Sequence, residues 1–305
     1  MTPAIPHCTP PARPADIPAS RFASLIRRDT ARGCRVGLIG LADDLGVRLN
    51  HGRPGAKDGP RAFRAALAKY GVADPYGWEW PAVLDAGDIV PASGSDESAL
   101  RETHRRVTEA VAALLGLGLF PIGIGGGHDL TFPFVRAVNA GHVSAGGSPL
   151  AGVYFDAHLD VREAAGSGMP FRALVEQCGV SRLRIVGMDP FANSREHQDW
   201  YRAHGGVVVS NPAAADEPVI GAPAFLSVDL DAIDGAQAPG VSAMNPRGLD
   251  AALVAEKVRT LGADSRVRCF DIMELCPTHD ESGRTARVAA HLFLSFLRGF
   301  AERRA

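Results

Sequence analysis

Short apolar runs alternate with longer segments of helical periodicity along most of the chain. Buried strands are indicated, by their β-branched or glycine-bounded composition, at residues 36–39, 120–124, 152–155, 183–187, 207–209, 224–228 and 268–272. Helices are indicated at residues 59–70, 96–117, 132–139, 250–261 and 284–301. Because strands that alternate with helices pair in parallel, with helices on both faces, the pattern predicts a three-layer α/β/α fold with a central parallel sheet.

Length and composition favour one large domain preceded by an arm. With 305 residues, 46% of them hydrophobic, the chain can bury a large core, and we find no internal linker long enough to divide it. Residues 1–20 contain six prolines and little that is apolar. They predict a disordered Pro-rich arm, not a signal peptide or a membrane span. Residues 21–305 are predicted to form a single catalytic domain.

Charge and cysteine content limit the class of partner. The formal net charge is -2 and no long basic run is present, so we expect neither nucleic-acid nor membrane binding, and a small-molecule substrate instead. The cysteines are five in number and include no C-x-x-C pair, which indicates a reducing, cytoplasmic setting. Cys269 and Cys276 are predicted to be buried hydrophobic residues, not nucleophiles.

Two predicted strands end in closely spaced acidic side chains. One is followed by Asp156, His158 and Asp160, and another by Asp229 and Asp231. If the extended backbone persists, alternate side chains point to one side, at the strand ends where parallel sheets bind ligands. A lone D-x-H-x-D is more ordinarily a helix cap with a solvent-facing His. Two such strand ends favour a shared cation, because buried like charges need a positive partner.

A third strand end carries three glycines and His128. A phosphate-binding loop would need Lys-Ser/Thr after the glycines, and it is absent. The candidate metal ligands are therefore two imidazoles and four carboxylates: His128, Asp156, His158, Asp160, Asp229 and Asp231. This set suits two divalent ions, with manganese favoured and nickel, iron or cobalt also compatible. Two ions about 3.5 to 4 Å apart can share a water and lower its pKa for hydrolysis.

Three motifs resemble those of the ureohydrolase family, which includes arginase, agmatinase and formimidoylglutamase. They are GGGHD at 125–129, DAHLD at 156–160, and SVDLDAID with PGVSAMNPRGL between 227 and 249. The resemblance implies an arginase-like fold, two Mn2+ per subunit, a homo-oligomer, and hydrolysis of a C–N bond in a guanidino or formimino group.

The resemblance also implies roles for individual residues. One ion would be bound by His128, Asp156, Asp160 and Asp229, and the other by Asp156, His158, Asp229 and Asp231. Asp156 and Asp229 would then bridge the ions. Glu274 would accept hydrogen bonds from the amidine end of the substrate, which offers a planar fork of N–H donors. Glu274, Asp156 and Asp229 are the predicted catalytic residues.

The stretch GSGMPFRAL at 166–174 bears on the substrate. Members that resemble arginase and agmatinase carry a His in H-G-x-P, where this chain has Ser167; S-G-x-P-F instead resembles formimidoylglutamases. The implied reaction converts N-formimidoyl-L-glutamate and water to L-glutamate and formamide, in histidine degradation. The alternatives are an agmatinase or guanidino-acid amidinohydrolase that releases urea, and a catalytically silent metabolite-binding homologue.

A substrate with two carboxylates requires cations in its pocket. Besides Ser167, the predicted substrate-binding residues are Arg172 and Arg53, with Arg195 as a further loop candidate. The general acid stays unassigned, and His51 and His197 are candidates by side-chain type alone.

Overall fold

Nine strands form one sheet in the computed structural model, which describes residues 4–11, 14, 16–71, 73, 77, 79–209 and 221–303. The strands are β1 (Cys8–Thr9), β2 (Val36–Leu41), β3 (Val83–Ile89), β4 (Phe120–Gly125), β5 (Ala151–Phe155), β6 (Leu183–Val186), β7 (Val207–Val209), β8 (Ala224–Asp229) and β9 (Val267–Met273). Their order across the sheet is β1-β3-β2-β4-β9-β8-β5-β6-β7. β1 pairs antiparallel with β3, and the other neighbours are parallel.

Helices cover both faces of this sheet. They are α1 (Leu45–Leu49), α2 (Gly59–Leu67), α3 (Glu97–Gly116), α4 (Thr131–Ser144), α5 (Pro170–Cys178), α6 (Arg195–Ala203), α7 (Ala251–Ala263) and α8 (Arg284–Ala301). α8 packs against α2 and α7, whereas α4 packs against α3 and α5. No helix among the described residues is long and apolar enough to span a bilayer.

The core is divided by the sheet into two apolar clusters. Along β2, Leu38 belongs to the cluster that includes Phe293 of α8, and the next residue, Ile39, belongs to the cluster that includes Val107 of α3. Successive side chains of a strand point to opposite faces, so a strand buried on both faces is apolar throughout. The predicted three-layer α/β/α fold with a central parallel sheet is confirmed.

Several helix ends are defined by local sequence. The Asp96 carboxylate accepts from the Ala99 N–H at the start of α3, and Ser194 accepts from the His197 N–H at the start of α6. α5 begins at Pro170 and ends before Gly179, whose φ is +67°.

Some elements lie where the sequence predicted none. All predicted strands and helices are present within a few residues, but β1, β3, α1, α5 and α6 were not predicted. β3 has the sequence VLDAGDI, in which Asp85 and Asp88 interrupt the apolar run. Both acids pair with Arg64 of α2, so their charge is compensated inside the fold.

Part of the N-terminal region is ordered against the sheet. Cys8 and Thr9 pair with Ile89 and Asp88, so the predicted disorder does not hold for this stretch. Edge-strand pairing needs only backbone groups, which is why the Pro-rich composition did not reveal it. Residues 1–3, 12, 13 and 15 of the predicted arm lie outside the described residues, and the boundary at residue 21 stays a prediction.

Candidate metal centre

Four adjacent strands, β4, β9, β8 and β5, deliver polar residues to one edge of the sheet. His128 lies just beyond β4, Asp156 directly follows β5, Asp229 ends β8, and Glu274 directly follows β9. All four are buried, with 2% or less of each residue exposed. The carboxyl ends of parallel strands are therefore the place where these groups meet.

The structure gathers all six predicted metal ligands into two overlapping sets. In the first, His128 Nδ1 lies 2.9 Å from Asp160 Oδ2, 3.1 Å from Asp229 Oδ2 and 3.2 Å from Asp156 Oδ2. The second set comprises Asp156, His158 and Asp231. Within each set the candidate ligand atoms lie within 4.8 Å of one another. Asp156 belongs to both sets, whereas Asp229 is grouped with the first alone.

The second set is held together around an imidazole. His158 Nδ1 lies 3.1 Å from Asp231 Oδ2 and 3.5 Å from Asp156 Oδ1. Sharing one carboxylate between two sets is the arrangement that a bridging ligand requires. The bridging role of Asp229 stays a prediction.

The route by which the side chains converge differs from the one expected. β5 ends at Phe155, and the following backbone turns: the Asp156 carboxylate accepts from the His158 N–H at 2.6 Å, and Asp160 has a φ of +48°. After β8, the Asp229 carboxylate likewise accepts from the Asp231 N–H at 2.8 Å. An extended strand is thus not what aligns these groups. In each motif the first acid, Asp156 or Asp229, accepts a hydrogen bond from the backbone two residues later. The resulting turn brings the following ligand candidates toward that acid.

A buried relay sets the orientation of His128. Its Nε2 lies 3.1 Å from Ser227 Oγ, and the Ser227 hydroxyl donates to Asp271 Oδ1 at 2.5 Å. The β8–β9 register places Ser227 directly opposite Asp271. With Nε2 donating to the hydroxyl, the Nδ1 lone pair faces the carboxylates, as a metal-binding imidazole requires.

The electrostatics of the cluster favour a positive charge at its centre. Burial raises the pKa of Asp156 to about 6, with repulsion from Asp160 and Asp231 adding to it. Burial and neighbouring acids also raise the pKa of Asp229 well above its usual range. Burial lowers the pKa of His158, but Asp231 and Asp156 outweigh this effect and raise the pKa to about 12. A divalent cation would supply this charge and hold the acids ionised.

The donor set fits such ions. Two buried atoms, His128 Nδ1 and Asp156 Oδ2, have no hydrogen-bond partner among the described residues, although each faces the cluster. Buried polar atoms without a hydrogen-bond partner are uncommon and call for a ligand of another kind. Imidazole and carboxylate donors together suit a divalent transition metal.

A cavity of about 140 Å³ opens beside the cluster. Its lining includes Ser167, Arg162, Ser242 and Glu274 in addition to every candidate ligand except Asp156. Glu274 Oε1 accepts from the His128 N–H at 2.9 Å, while Oε2 has no partner among the described residues. Burial raises the pKa of Glu274 to about 7, and the nearby Ser242 side chain and the His128 N–H oppose this rise. A cation beside it would favour the ionised form.

Two arginines predicted to contact substrate are not brought to the cavity lining. Arg172 lies on α5, where it pairs with Glu176 at 2.9 Å and stacks over the Trp200 ring. Arg53 donates to the carbonyls of Val241 and Ser242 at 2.7 and 2.9 Å. Both guanidinium groups make these contacts outside the cavity lining, and their contact with substrate stays a prediction. Arg53 holds the loop that lines the cavity.

The remaining candidates divide in the same way. His197 lines the cavity, but His51 and Arg195 are exposed outside that lining. Cys269 and Cys276 are buried, as expected. The Asp280 carboxylate accepts from the Thr285 and Ala286 N–H groups and so caps α8.

The cavity residues that were not singled out from the sequence include Asn50, Arg162 and Asn193. Arg162 Nη1 donates to Asn50 Oδ1 at 3.2 Å, and Asn50 Nδ2 donates to Ser167 Oγ at 3.1 Å. Arg162 stands two residues beyond Asp160, and that position after a ligand motif was the one available signal. Asn50 and Asn193 lie in turns that reach the site only through the tertiary fold.

Comparisons with known proteins identify the family to which this chain belongs. The arginase family model matches residues 34–298. A formimidoylglutamase of Aromatoleum aromaticum is 36% identical over 289 residues, which span 87% of this chain and 83% of that protein. A formimidoylglutamase of Aeromonas salmonicida is 34% identical over 281 residues, spanning 84% of each. The crystal structure of Trypanosoma cruzi formiminoglutamase with Mn2+2 is similar with a TM-score of 0.84 at 30% identity, covering 95% of this chain and 100% of that one.

Proposed function

The chain belongs to the arginase family, and we propose that it hydrolyses N-formimidoyl-L-glutamate to L-glutamate and formamide. The observation that carries the proposal is one cavity that joins the buried His/Asp cluster to Arg162 and Ser167. The cluster offers hydrolytic chemistry at one end, and the arginine offers a cation for a carboxylate. The relatives described above are formimidoylglutamases, and their similarity to this chain extends over most of their length. This favours formimidoylglutamate over guanidino compounds as the substrate.

Two divalent cations, with manganese favoured, are proposed as the cofactors. His128, Asp156, Asp160 and Asp229 would hold one, and Asp156, His158 and Asp231, with Asp229, the other. Bound there, they would activate a water molecule as the nucleophile. The Trypanosoma cruzi relative contains manganese, and the same donors are compatible with other divalent transition metals.

Glu274 is proposed to bind the amidine end of the substrate. Glu274 lines the cavity; its Oε1 accepts from the His128 N–H, and its buried Oε2 has no hydrogen-bond partner among the described residues. A planar amidine can donate two parallel N–H bonds to a carboxylate. Glu274 would thus orient the reacting carbon against the metal cluster, while Asp156 and Asp229 hold the cations.

The opposite end of the substrate would bind Arg162 and Ser167. Asn50 contacts both side chains, so the three polar groups form a continuous wall. A guanidinium in this wall can bind a carboxylate through two hydrogen bonds. Ser167, which stands where a shuttle His would lie, adds a hydroxyl donor. His197, which lines the cavity, is the remaining candidate for protonating the leaving amine.

We place this activity in a cytoplasmic homo-oligomer that takes part in histidine degradation. The cysteines are free among the described residues, which suits a reducing compartment. Formimidoylglutamate carries two carboxylates, and Arg162 in the cavity lining supplies a cation for one of them.

A product assay tests the substrate assignment. Purified protein with Mn2+ should release formamide and glutamate from formimidoylglutamate, and little urea from agmatine, arginine or guanidinobutyrate. The metal-stripped protein is the matched control and should be inactive until manganese is restored. Urea as the main product would refute the substrate assignment but leave the proposed metal centre unaffected. No turnover and no bound transition metal would favour the silent metabolite-binding homologue.

A further inference from the structure

Asn193 makes hydrogen bonds on both sides of His158. Its Nδ2 donates to the Ala157 carbonyl at 2.8 Å, and its Oδ1 accepts from the Leu159 N–H at 2.8 Å. These are the residues immediately before and after His158. One amide side chain therefore fixes both peptide units that flank this ligand candidate.

His158 depends on its backbone more than the other ligand candidates do. Its side chain is 27% exposed, whereas those of the other five are at most 13% exposed. Packing thus restrains its ring on fewer sides. Its N–H is engaged with Asp156 at 2.6 Å, and the chain then passes through Asp160 at a φ of +48°. Such a backbone conformation is costly for a non-glycine residue and persists where surrounding contacts enforce it.

Asn193 also ties this turn to the loop that lines the substrate cavity. Its Nδ2 donates a second bond, at 2.8 Å, to the Asp189 carbonyl, and the Asp189 N–H donates to the Ala157 carbonyl at 2.9 Å. The neighbouring Ala192 lines the cavity, and Ser194 caps the start of α6, which carries the cavity residue His197. The loop and the ligand turn are therefore one hydrogen-bonded unit with Asn193 at its centre.

We propose that Asn193 is a positioning residue for the second metal site, the one formed by Asp156, His158 and Asp231. The inference rests on the proposed function, because it presumes that this set binds a cation. Without Asn193, the Leu159 N–H loses its partner and the Ala157 carbonyl keeps only the Asp189 N–H, so the ring of His158 is no longer held toward Asp231. The first site keeps its buried ligands and the Ser227 relay to His128. Loss of an outer partner of a metal ligand typically weakens metal binding by about 10- to 100-fold.

Two substitutions separate hydrogen bonding from space filling. Asn193→Ala removes the donor and the acceptor. Asn193→Asp keeps the size and the acceptor for the Leu159 N–H, but it directs a carboxylate at two carbonyl oxygens. Because an added negative charge would by itself attract a cation, weaker manganese binding in Asn193→Asp would be due to the lost donor. Ser194→Ala is the matched control, since it perturbs the same loop and leaves the bonds around His158 intact.

The full-length proteins are stripped of metal, checked by thermal melting, and titrated with Mn2+ alone by calorimetry and electron paramagnetic resonance. Wild type and Ser194→Ala should take up two ions and give the spectrum of a coupled pair. Both Asn193 variants should bind the first ion normally and the second at least tenfold more weakly, with the spectrum of an isolated ion at intermediate manganese. Excess manganese should restore much of the turnover on formimidoylglutamate.

The outcomes distinguish the two proposals. If wild type binds a pair and both Asn193 variants bind it equally well, the positioning role is refuted while the proposed function stands. If wild type itself binds no pair of ions, the metal centre and this inference both fall. Equal losses in Ser194→Ala and Asn193→Ala would also refute the role, because they would show that any disturbance of the loop suffices.

Discussion

Arg64 lies at the centre of a buried ion-pair cluster that joins α2 to β3, and replacing it should destabilise the fold strongly. Its Nε and Nη2 donate to the two carboxylate oxygens of Asp85 at 2.8 Å each, and its Nη1 donates to Asp88 at 2.6 Å. The side chains of Arg64, Asp85 and Asp88 are 4%, 3% and 16% exposed. The Arg64→Met substitution keeps an unbranched chain of similar length and removes the charge.

The size of the effect follows from what remains behind. Two carboxylates stay in an environment with little water, and one has lost both halves of a bidentate pair. Breaking a buried ion pair by removing one partner costs about 3 to 5 kcal/mol, because the other charge is left uncompensated. Removing all three charges, in Arg64→Met with Asp85→Asn and Asp88→Asn, should recover most of that loss.

The loss should depend on pH in a defined direction. Burial already raises the pKa of Asp88 despite the opposing charge of Arg64, so removing Arg64 raises this pKa further. An acid whose pKa is higher in the folded state costs stability above the folded pKa, and costs nothing below the unfolded value of about 3.9. The deficit of Arg64→Met should therefore be largest near neutral pH and shrink as the pH falls through the folded pKa of Asp88.

Urea unfolding at several pH values measures both effects. Arg61→Met is the matched control: Arg61 lies on the same helix, its side chain is 69% exposed, and it pairs with Asp58 at 3.4 Å. An exposed pair of this kind contributes less than about 1 kcal/mol. A loss for Arg64→Met no larger than that for Arg61→Met would refute the reasoning. So would a deficit that grows on acidification.

Three further predictions concern the site. Asp156→Asn should abolish turnover and lower the amount of bound manganese, because an amide cannot serve as a shared anionic ligand. Metal analysis and an activity assay measure both effects, and full activity would exclude a bridging role for Asp156. Arg162→Met should raise KM for formimidoylglutamate by about 10- to 100-fold, the value of a lost charge-assisted hydrogen bond, with kcat less affected. An unchanged KM would remove Arg162 from carboxylate binding. Glu274→Gln should lower kcat by a similar factor and leave the manganese content unchanged, as measured by steady-state kinetics and metal analysis. An unchanged kcat would contradict the proposed role of Glu274.

Most of the sheet could be predicted because buried parallel strands leave a local signal. Strands covered on both faces are continuous apolar runs, and β2, β4 and β5 have that character. β3 has it only in part, since Asp85 and Asp88 interrupt it. Their compensation comes from Arg64, 21 and 24 residues earlier in the chain. No local pattern reveals that pairing, so the strand was missed.

The candidate ligands could be located for a similar reason, whereas the arginine that lines the cavity could not. Acidic and imidazole residues directly after apolar strands mark the active edge of a parallel sheet without any knowledge of loop paths. An arginine in a loop carries no such information about direction. Arg172 and Arg162 are both close in sequence to the DAHLD motif, but α5 directs Arg172 toward Glu176 and Trp200, while the turn after Asp160 directs Arg162 into the cavity.

Polar residues inside otherwise apolar strands have a common explanation in this protein. Ser227 interrupts β8 and Asp271 interrupts β9, and the parallel register sets them opposite each other, where they form a hydrogen bond and orient His128, which lies just beyond β4. Asp85 and Asp88 are likewise paired, with Arg64. A buried polar group without a partner costs more than most single contacts contribute, so each interruption in a core strand implies a partner elsewhere in the fold. The amino-acid sequence shows where a buried polar residue needs a partner. Only the order and register of the strands show which residue that partner is.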